Sequence, residues 1–305
     1  MNRRTIAVAF LLFSAVASTG DSPKRPRIFG IARMQIFTTD ISSARSFYSK
    51  VLDQTDDCNW CEKLPGRSFA VNWNQGIGLS EAPSPVPPNL IEEIAFATDS
   101  VAGLRRYLMA NNIPVSKPNK PGDNYLSVAD PEGHRIGFLQ RPEMPVLTGG
   151  QQQSLETVLP SKLHIVHAGF VVRDRAAEDG FYKDVLGFHL YWQGGMKESE
   201  DHWVDMQVPD GTDWLEYMLN VASNADKHTL GEMNHIGLGV ENIKPTTERL
   251  RDDGVVPILE EAKIGRDGKW ALDVYDPDGT RIEFMEFTPV RKPCCSEYTG
   301  PHPKP

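Results

Sequence analysis

The feature that most constrains this chain is an internal repeat. The motif F-Y-x-x-V-L begins at Phe47 and again at Phe181, and each copy follows a β-like run that ends in an aspartate. A second block repeats in the same order, because D-P-E-G at 130–133 resembles D-P-D-G at 276–279. Two blocks that repeat together indicate duplication. The chain is therefore predicted to fold as two related halves.

A finer repeat lies within the halves. V-H-A-G-F-V-V at 166–172 parallels N-H-I-G-L-G-V at 234–240, and both segments are typical of a strand that leads into a helix. The second of these helices is expected over about 243–253, with Gly254 as its C-terminal cap. Runs of alternating polarity follow. The predicted fold class is α+β, with four β-α-β-β-β units paired into two domains.

The two domains are expected at residues 30–141 and 163–288. Residues 142–162 contain T-G-G followed by three glutamines and are the expected linker. Residues 289–305 contain five prolines and are expected to form a mobile tail.

The N-terminal residues have the pattern of an export signal. A basic start at residues 2–4 precedes an apolar run at 5–13, and A-V-A at 15–17 provides small residues for cleavage. The apolar run is short for a membrane span. We therefore expect residues 1–20 to be a cleaved signal peptide. The mature protein would be periplasmic or secreted, with no membrane contact after cleavage.

Composition narrows the range of partners. Acidic residues outnumber basic ones, 41 to 32, which gives a formal net charge of −9. A surface of this sign repels phosphate backbones, so nucleic acid is not an expected partner. In an oxidising compartment the four cysteines, Cys58, Cys61, Cys294 and Cys295, favour structural disulfides, for which three connectivities are open. A redox pair or a zinc site is the alternative.

Two histidines and two glutamates occupy matching places in the last two units. His167 and His235 lie on the opening strands, whereas Glu216 and Glu283 lie late in the same units. Strand alternation puts His167 and His235 on faces that also carry glycines, which would leave room for a ligand, while the opposite faces are wholly apolar. Burying these four groups together is costly unless a cation neutralises them. The set therefore predicts a site for one divalent metal ion.

The second half resembles the vicinal oxygen chelate superfamily, which includes glyoxalase I, methylmalonyl-CoA epimerase, extradiol dioxygenases and fosfomycin resistance proteins. The resemblance is strong over 163–288 and weak over 30–141. It is carried by the segments V-H-A-G-F-V-V-R-D, F-Y-K-D-V-L-G-F, W-L-E-Y, N-H-I-G-L-G-V and D-P-D-G-T-R-I-E-F-M-E. It implies cupped mixed sheets with helices on the outer face.

The resemblance also implies one metal ion, Ni, Zn, Mn or Fe, on His167, Glu216, His235 and Glu283. This His-Glu-His-Glu set is most similar to that of bacterial glyoxalase I. The family pairs its units either within a chain or across a dimer, so both a monomer and a homodimer are expected possibilities. A small-molecule substrate with neighbouring oxygens is the implied partner.

The first half departs from this pattern. At the repeat offset, Arg33 stands opposite His167, Glu93 opposite His235, and Gly137 opposite Glu283, and no carboxylate matches Glu216. We therefore expect the first domain to be metal-free. Its role would be packing, or shaping the pocket of the second domain.

The implied reaction is that of a metal-dependent lyase or isomerase, through enediolate or oxyanion stabilisation, with Glu216 or Glu283 as the catalytic base. The substrate is not expected to be a glutathione adduct. Val171 and Gly231 stand where glyoxalase I or its relatives commonly have arginine, and glutathione is mainly cytosolic.

Two alternatives remain open. An extradiol-type dioxygenase would use His167, His235 and Glu283, with a second-sphere histidine and tyrosine; the usual tyrosine position is Asp273 here, although Tyr275 is close. A non-catalytic protein that binds a small molecule, as bleomycin resistance proteins do, would need no metal.

Overall fold

The structure is a computed structural model that describes residues 23–53, 67–141, 163–257 and 261–305. Over its described residues, the first half forms one mixed sheet of six strands with two helices. In chain order its elements are β1 (Ile28–Thr38), α1 (Ile41–Val51), β2 (Arg67–Ala70), β3 (Gly76–Glu81), β4 (Ile91–Thr98), α2 (Val101–Ala110), β5 (Tyr125–Ala129) and β6 (Arg135–Gln140).

The second half forms a mixed sheet of eight strands with three helices. The helix α3 begins as α-helix at Arg175–Asp179 and continues as a π-helical turn at Gly180–Val185. The other elements are β7 (His164–Val171), β8 (His189–Gly194), β9 (Trp203–Gln207), β10 (Trp214–Met218), α4 (Lys227–Met233), β11 (His235–Val240), α5 (Ile243–Asp252), β12 (Lys263–Ile264), β13 (Trp270–Tyr275) and β14 (Arg281–Glu286).

The two sheets share one topology. Their strand orders are β2-β3-β1-β4-β6-β5 and β12-β13-β14-β11-β7-β10-β9-β8. The opening strands of paired units run antiparallel, β1 against β4 and β7 against β11, and each also has a parallel neighbour. The predicted fold class, α+β with mixed sheets built from paired units, is confirmed. The third and fourth units, which open with β7 and β11, pair with each other within this chain.

Strand number varies between the units. Between α2 and β5 the second unit has no strand, so only β5 and β6 follow its helix. That stretch contains Pro114, Pro118 and Pro121. Proline cannot donate a backbone hydrogen bond, so three of them close together oppose a ladder. In the fourth unit the corresponding strand, β12, is only two residues long.

The aspartates that end the repeated β-like runs are helix caps. The Asp40 side chain accepts hydrogen bonds from the backbone N–H groups of Ser42 and Ser43 at the start of α1. Asp174 accepts from Ala177 at the start of α3. These bonds satisfy N–H groups that the first helical turn leaves unpaired. The expected cap at Gly254 is also present, with φ +70°.

The two halves share a continuous core and two reciprocal polar contacts. Tyr48 of the first F-Y motif donates its hydroxyl to Asp276 of the second D-P-D-G turn, at 3.2 Å. Tyr182 of the second F-Y motif donates to Asp130 of the first D-P-E-G turn, at 3.0 Å. Both tyrosines are fully buried. The repeated motifs therefore join each half to the other.

The C-terminal tail is packed rather than mobile, which corrects the expectation for residues 289–305. Its carbonyl groups accept hydrogen bonds from three side chains of the second sheet: the Trp192 indole to Cys294, the Gln207 amide to Pro301, and His164 to Lys304. Tyr298 packs on Tyr191, with ring centroids 4.8 Å apart. The prolines reduce the conformational freedom of the unfolded chain, and they do not prevent the tail's carbonyl oxygens from accepting these hydrogen bonds.

Cys294 and Cys295 form a disulfide with each other. Cys58 and Cys61 lie outside the described residues, as do the expected signal peptide and the linker. Within the ranges that the structure describes, none of the helices combines the length and hydrophobicity needed to cross a bilayer.

Candidate metal centre

The four side chains singled out from the sequence meet on one face of the second sheet. The Nε2 atoms of His167 and His235 are 3.0 Å apart. Glu216 Oε2 is 2.9 Å from His235 Nε2, and Glu283 Oε2 is 3.3 Å from His167 Nε2. One donor atom from each residue lies within 4.8 Å of the other three. The four donor atoms are therefore close enough to share one ion.

Two glycines make room for the imidazoles. Across the antiparallel pair of β7 and β11, His167 faces Gly237 and His235 faces Gly169. A Cβ at Gly237 would lie 2.1 Å from the His167 ring, and one at Gly169 would lie 1.9 Å from the His235 ring. These glycines were expected to leave space for a ligand. They instead accommodate the two histidines, because each imidazole lies over the opposite glycine.

The surroundings of the cluster lower the pKa values of three of the four donor residues, His235, Glu283 and Glu216. Burial lowers the pKa of His235, and the charge of Arg281 lowers it further. Burial alone would raise the pKa of Glu283, but Arg281, His167 and His235 together hold it well below its usual range. The pKa of Glu216 is also lowered, because the hydrogen bond and charge of His235 outweigh burial.

The polar atoms of the cluster fit a cation. His167 Nδ1 is buried without a hydrogen-bond partner among the described residues, and the buried Glu216 Oε2 faces His235 Nε2 at 2.9 Å. The two Nε2 atoms face each other at 3.0 Å, and each also faces a carboxylate oxygen, Glu283 Oε2 at 3.3 Å for His167 and Glu216 Oε2 at 2.9 Å for His235. Two imidazole nitrogens and two carboxylate oxygens match the ligand types of Zn, Ni, Mn and Fe.

Two further ionisable side chains lie on this face and were not identified from the sequence. Arg281 Nη2 is 2.9 Å from both ring nitrogens of His235. Asp205 stands directly opposite Glu216 in the β9–β10 ladder, and burial together with the charge of Glu216 raises its pKa well above its usual value. Arg281 precedes Glu283 by two residues, so strand alternation was a usable signal for it.

A buried lysine adjoins the cluster through an aromatic stack. Trp214 stacks on His167, with ring centroids 5.0 Å apart. Lys269 Nζ lies 4.4 Å from the Trp214 ring and 5.2 Å from that of Tyr298, and the residue is 1% exposed. Aromatic faces stabilise a desolvated ammonium group. No sequence signal marked Lys269, because its environment depends on the docked tail.

An ion pair stands at the equivalent place in the first half. The β1–β4 and β4–β6 ladders place Arg33, Glu93 and Gly137 at the positions of His167, His235 and Glu283, as the repeat offset predicts. Arg33 forms an ion pair with Glu93, and Arg135 Nε lies 2.9 Å from the same carboxylate. Glu93 is 2% exposed. In this half a guanidinium, rather than a ligand set, balances the buried carboxylate.

Comparison with known proteins agrees with this architecture. The family model of the Glyoxalase/Bleomycin resistance protein/Dioxygenase superfamily matches residues 164–284. The lactoylglutathione lyase of Haemophilus influenzae is 30% identical over 125 residues, which cover 41% of this chain and 93% of the relative. A probable lactoylglutathione lyase of Synechocystis is 29% identical over 138 residues, which cover 95% of that protein. The chain belongs to the Glyoxalase/Bleomycin resistance protein/Dioxygenase superfamily.

Some solved structures resemble a larger part of the chain. Homoprotocatechuate 2,3-dioxygenase from Arthrobacter globiformis has a TM-score of 0.59 and 18% identity, over 88% of this chain and 82% of the other. The same enzyme from Brevibacterium fuscum, in complex with 3,4-dihydroxyphenylacetate, has a TM-score of 0.59 and 17% identity over 87% of this chain. At this identity the likeness concerns the fold.

Proposed function

We propose that the protein is a metal-dependent lyase or isomerase that acts on a small substrate with neighbouring oxygens, with His167, Glu216, His235 and Glu283 as ligands of one divalent ion. The observation that carries this proposal is the place of Glu216. A dioxygenase-like site needs only two histidines and one glutamate, whereas here Glu216 Oε2 lies 2.9 Å from His235 Nε2 and completes a four-donor cluster.

A bound ion of this kind polarises substrate oxygens as a Lewis acid. The chain itself supplies the proton transfer. The carboxylate of Glu216 or Glu283 takes a proton from the carbon that carries the hydroxyl and returns it to the carbonyl carbon, while the hydroxyl proton passes to the former carbonyl oxygen, so that no atom is lost from the substrate. Asp205, opposite Glu216, would hold a second proton near this site. Arg281 contacts His235 and keeps its ring in place.

The substrate is proposed to be smaller than a glutathione adduct. Gly231 stands where some relatives have an arginine, and it is packed against the backbone of the D-P-D-G turn. A Cβ at this position would lie 2.2 Å from the carbonyl oxygen of Gly279. An arginine therefore does not fit at Gly231 without movement of that turn. Val171, at the other expected arginine position, is buried and apolar.

The test is to remove metal, reload separate samples with Ni, Zn, Mn or Fe(II), and incubate them in D₂O with small 2-hydroxycarbonyl compounds and with thiol hemithioacetals, glutathione's included. NMR should show deuterium at the reacting carbon and the isomerised product, with adducts of small thiols preferred. Glu216→Gln and Glu283→Gln should slow the reaction by about 10²–10⁴-fold. Glu248→Gln, on the exposed side of α5, is the matched control. If no deuterium enters the substrate carbon with any of the four metals, the proposal is overturned.

One observation favours ring-cleaving dioxygenase activity as the second candidate. His228 stacks on Tyr275, with ring centroids 6.1 Å apart, and Tyr275 faces Arg281 in the β13–β14 ladder. A histidine and a tyrosine therefore lie at the edge of the face that carries Glu283. This candidate would be selected if the Fe(II)-loaded protein consumed oxygen with catechols and showed no exchange of carbon-bound hydrogen for deuterium in the first assay.

We also propose that the protein is exported and that no metal binds in the first domain at the positions equivalent to His167, Glu216, His235 and Glu283. The basic start and short apolar run at residues 2–13 support export. The Arg33–Glu93 ion pair supports the absence of an ion at these equivalent positions. N-terminal sequencing of protein recovered from the periplasm or the medium tests export, with a mature start near Ser18 as the expected result.

A further inference from the structure

A second cluster of ligand-type side chains lies at the junction of the two halves. Asp130 and His134 belong to the turn between β5 and β6, whereas Glu178 belongs to α3 of the other half. His134 Nδ1 is 2.8 Å from Asp130 Oδ2, and one donor atom from each of the three residues lies within 4.8 Å of the others. This cluster shares no residue with the His167 centre.

The Glu178 side chain is the unexplained part of this cluster. The residue has no exposed surface, and its Oε1 accepts a hydrogen bond from the backbone N–H of Glu132 at 3.1 Å. The other oxygen, Oε2, is buried without a hydrogen-bond partner among the described residues. A buried carboxyl oxygen with no partner is unfavourable, and the neighbouring carboxyl of Asp130 adds to that cost.

The pseudo-symmetric junction shows that the fold does not require these residues. There Tyr48 bonds Asp276, just as Tyr182 bonds Asp130 here. The positions equivalent to His134 and Glu178 hold Thr280 and Ala44, both fully buried. The joint between the halves therefore forms there without a residue of metal-ligand type at either of these two positions. The presence of such residues in only one of the two junctions needs a reason other than packing.

We propose that Asp130, His134 and Glu178 form a second divalent-metal site that links the two halves. The ion takes one imidazole nitrogen and two carboxylate oxygens, with solvent completing its coordination, and Glu178 Oε2 gains the partner that it lacks. Such a donor set suits zinc and related divalent ions. Because the site bridges the halves, the bound ion stabilises the junction and takes no part in the reaction at His167.

Zinc stoichiometry and thermal stability test the proposal. Metal-free protein is titrated with Zn²⁺ alone and analysed for bound metal by mass spectrometry after desalting. The wild type should retain two ions per chain. The variant His134→Thr/Glu178→Ala introduces the residues of the symmetric junction, so it should fold and retain one ion. His167→Ala/Glu283→Gln should also retain one, and this one should disappear when the two pairs of changes are combined.

The melting temperature gives a readout that is independent of activity. Zinc should still raise the Tm of His167→Ala/Glu283→Gln, whereas it should not raise that of the combined variant. If the combined variant does not fold, the stoichiometries of the wild type and of His134→Thr/Glu178→Ala decide alone. A His134→Thr/Glu178→Ala variant that holds as many ions as the wild type would overturn the proposal. That result has no bearing on the function proposed for the His167 centre.

Discussion

His167 lies over Gly237 across the β7–β11 ladder, so closely that a methyl group on Gly237 would be 2.1 Å from the imidazole. The position of this candidate ligand therefore depends on a residue that has no side chain. His235 lies over Gly169 in the same way. The two histidines occupy space that the opposite strand leaves open, and this arrangement brings their Nε2 atoms together.

Gly237→Ala should displace His167 and lower the metal content. The clash should also destabilise the fold by about 1–3 kcal/mol, as overpacking of a dense interior does. Elemental analysis and urea unfolding measure the two effects. Gly180→Ala is the control, because a Cβ at that helical position meets nothing within 4 Å and should leave both quantities unchanged or slightly raise stability. Full metal occupancy in Gly237→Ala would contradict this account of the site.

Arg33→Gln should destabilise the first half. It removes one cation from the nearly buried Glu93, although Arg135 and Tyr125 still contact that carboxylate. We therefore expect a loss in the free energy of unfolding that stays below the ~3–5 kcal/mol typical of a broken buried pair.

The double variant Arg33→Met/Glu93→Leu should recover most of that loss, because apolar residues of similar size often replace a buried ion pair without penalty. Urea unfolding of the single and double variants checks both statements. A double variant as unstable as Arg33→Gln would show that the pair has a further structural role.

Tyr298→Ala should destabilise the protein much more than Tyr298→Phe. The ring covers Lys269 and packs on Tyr191, but it is partly buried, so its removal should cost less than the ~3–5 kcal/mol of an aromatic side chain in a core. Phenylalanine retains the ring and loses only the hydrogen bond from the hydroxyl to the backbone oxygen of Asp267, which should cost about 1 kcal/mol. Equilibrium unfolding compares the two variants. Equal losses would mean that the tail does not depend on this ring.

His164 should make stability depend on pH. Its Nε2 lies 2.6 Å from Asp213 Oδ1 and its Nδ1 lies 3.0 Å from the Lys304 carbonyl, so both nitrogens face acceptors. Burial opposes the charged form, but Asp213 and the carbonyl outweigh burial and raise the pKa of His164 above its usual value. The stabilisation that His164 provides is therefore fully present below about pH 6.5, which is the pKa of histidine in the unfolded chain. It is lost as the pH rises through the pKa of His164 in the folded protein.

The measurement is the difference in unfolding free energy between the wild type and His164→Gln across this pH range. The variant should cost about 1.5–3 kcal/mol at acidic pH, as for a hydrogen bond to a charged group, and less in alkaline buffer. His202→Gln provides a matched control at a partly exposed imidazole. A difference that does not change with pH would show that His164 is neutral in the folded protein.

The candidate centre was predictable because its signal is local. His167, Glu216, His235 and Glu283 occupy repeated positions, and strand alternation fixes the face on which each lies. Arg33 and Glu93 were placed correctly by the same offset. Lys269 was not predictable, because its neighbours Trp214 and Tyr298 come from a distant strand and from the tail.

The tail was the clearest error. Its five prolines predict a segment without helix or strand, and that prediction is correct. A segment without regular secondary structure can still be held in place by hydrogen bonds from side chains of other elements. The Trp192 indole and the Gln207 amide bind carbonyls that lie far away in sequence. The role of the glycines opposite the histidines was also misassigned, because register across β7 and β11 is not visible in a single strand.

The crossed Tyr48–Asp276 and Tyr182–Asp130 contacts have a consequence for how such a duplicated protein evolves. Each half holds the buried partner of the other's tyrosine, so deleting the first half would strand polar groups in the second. Residues at the ligand positions of the first half can therefore change while that half is still needed for the stability of the second.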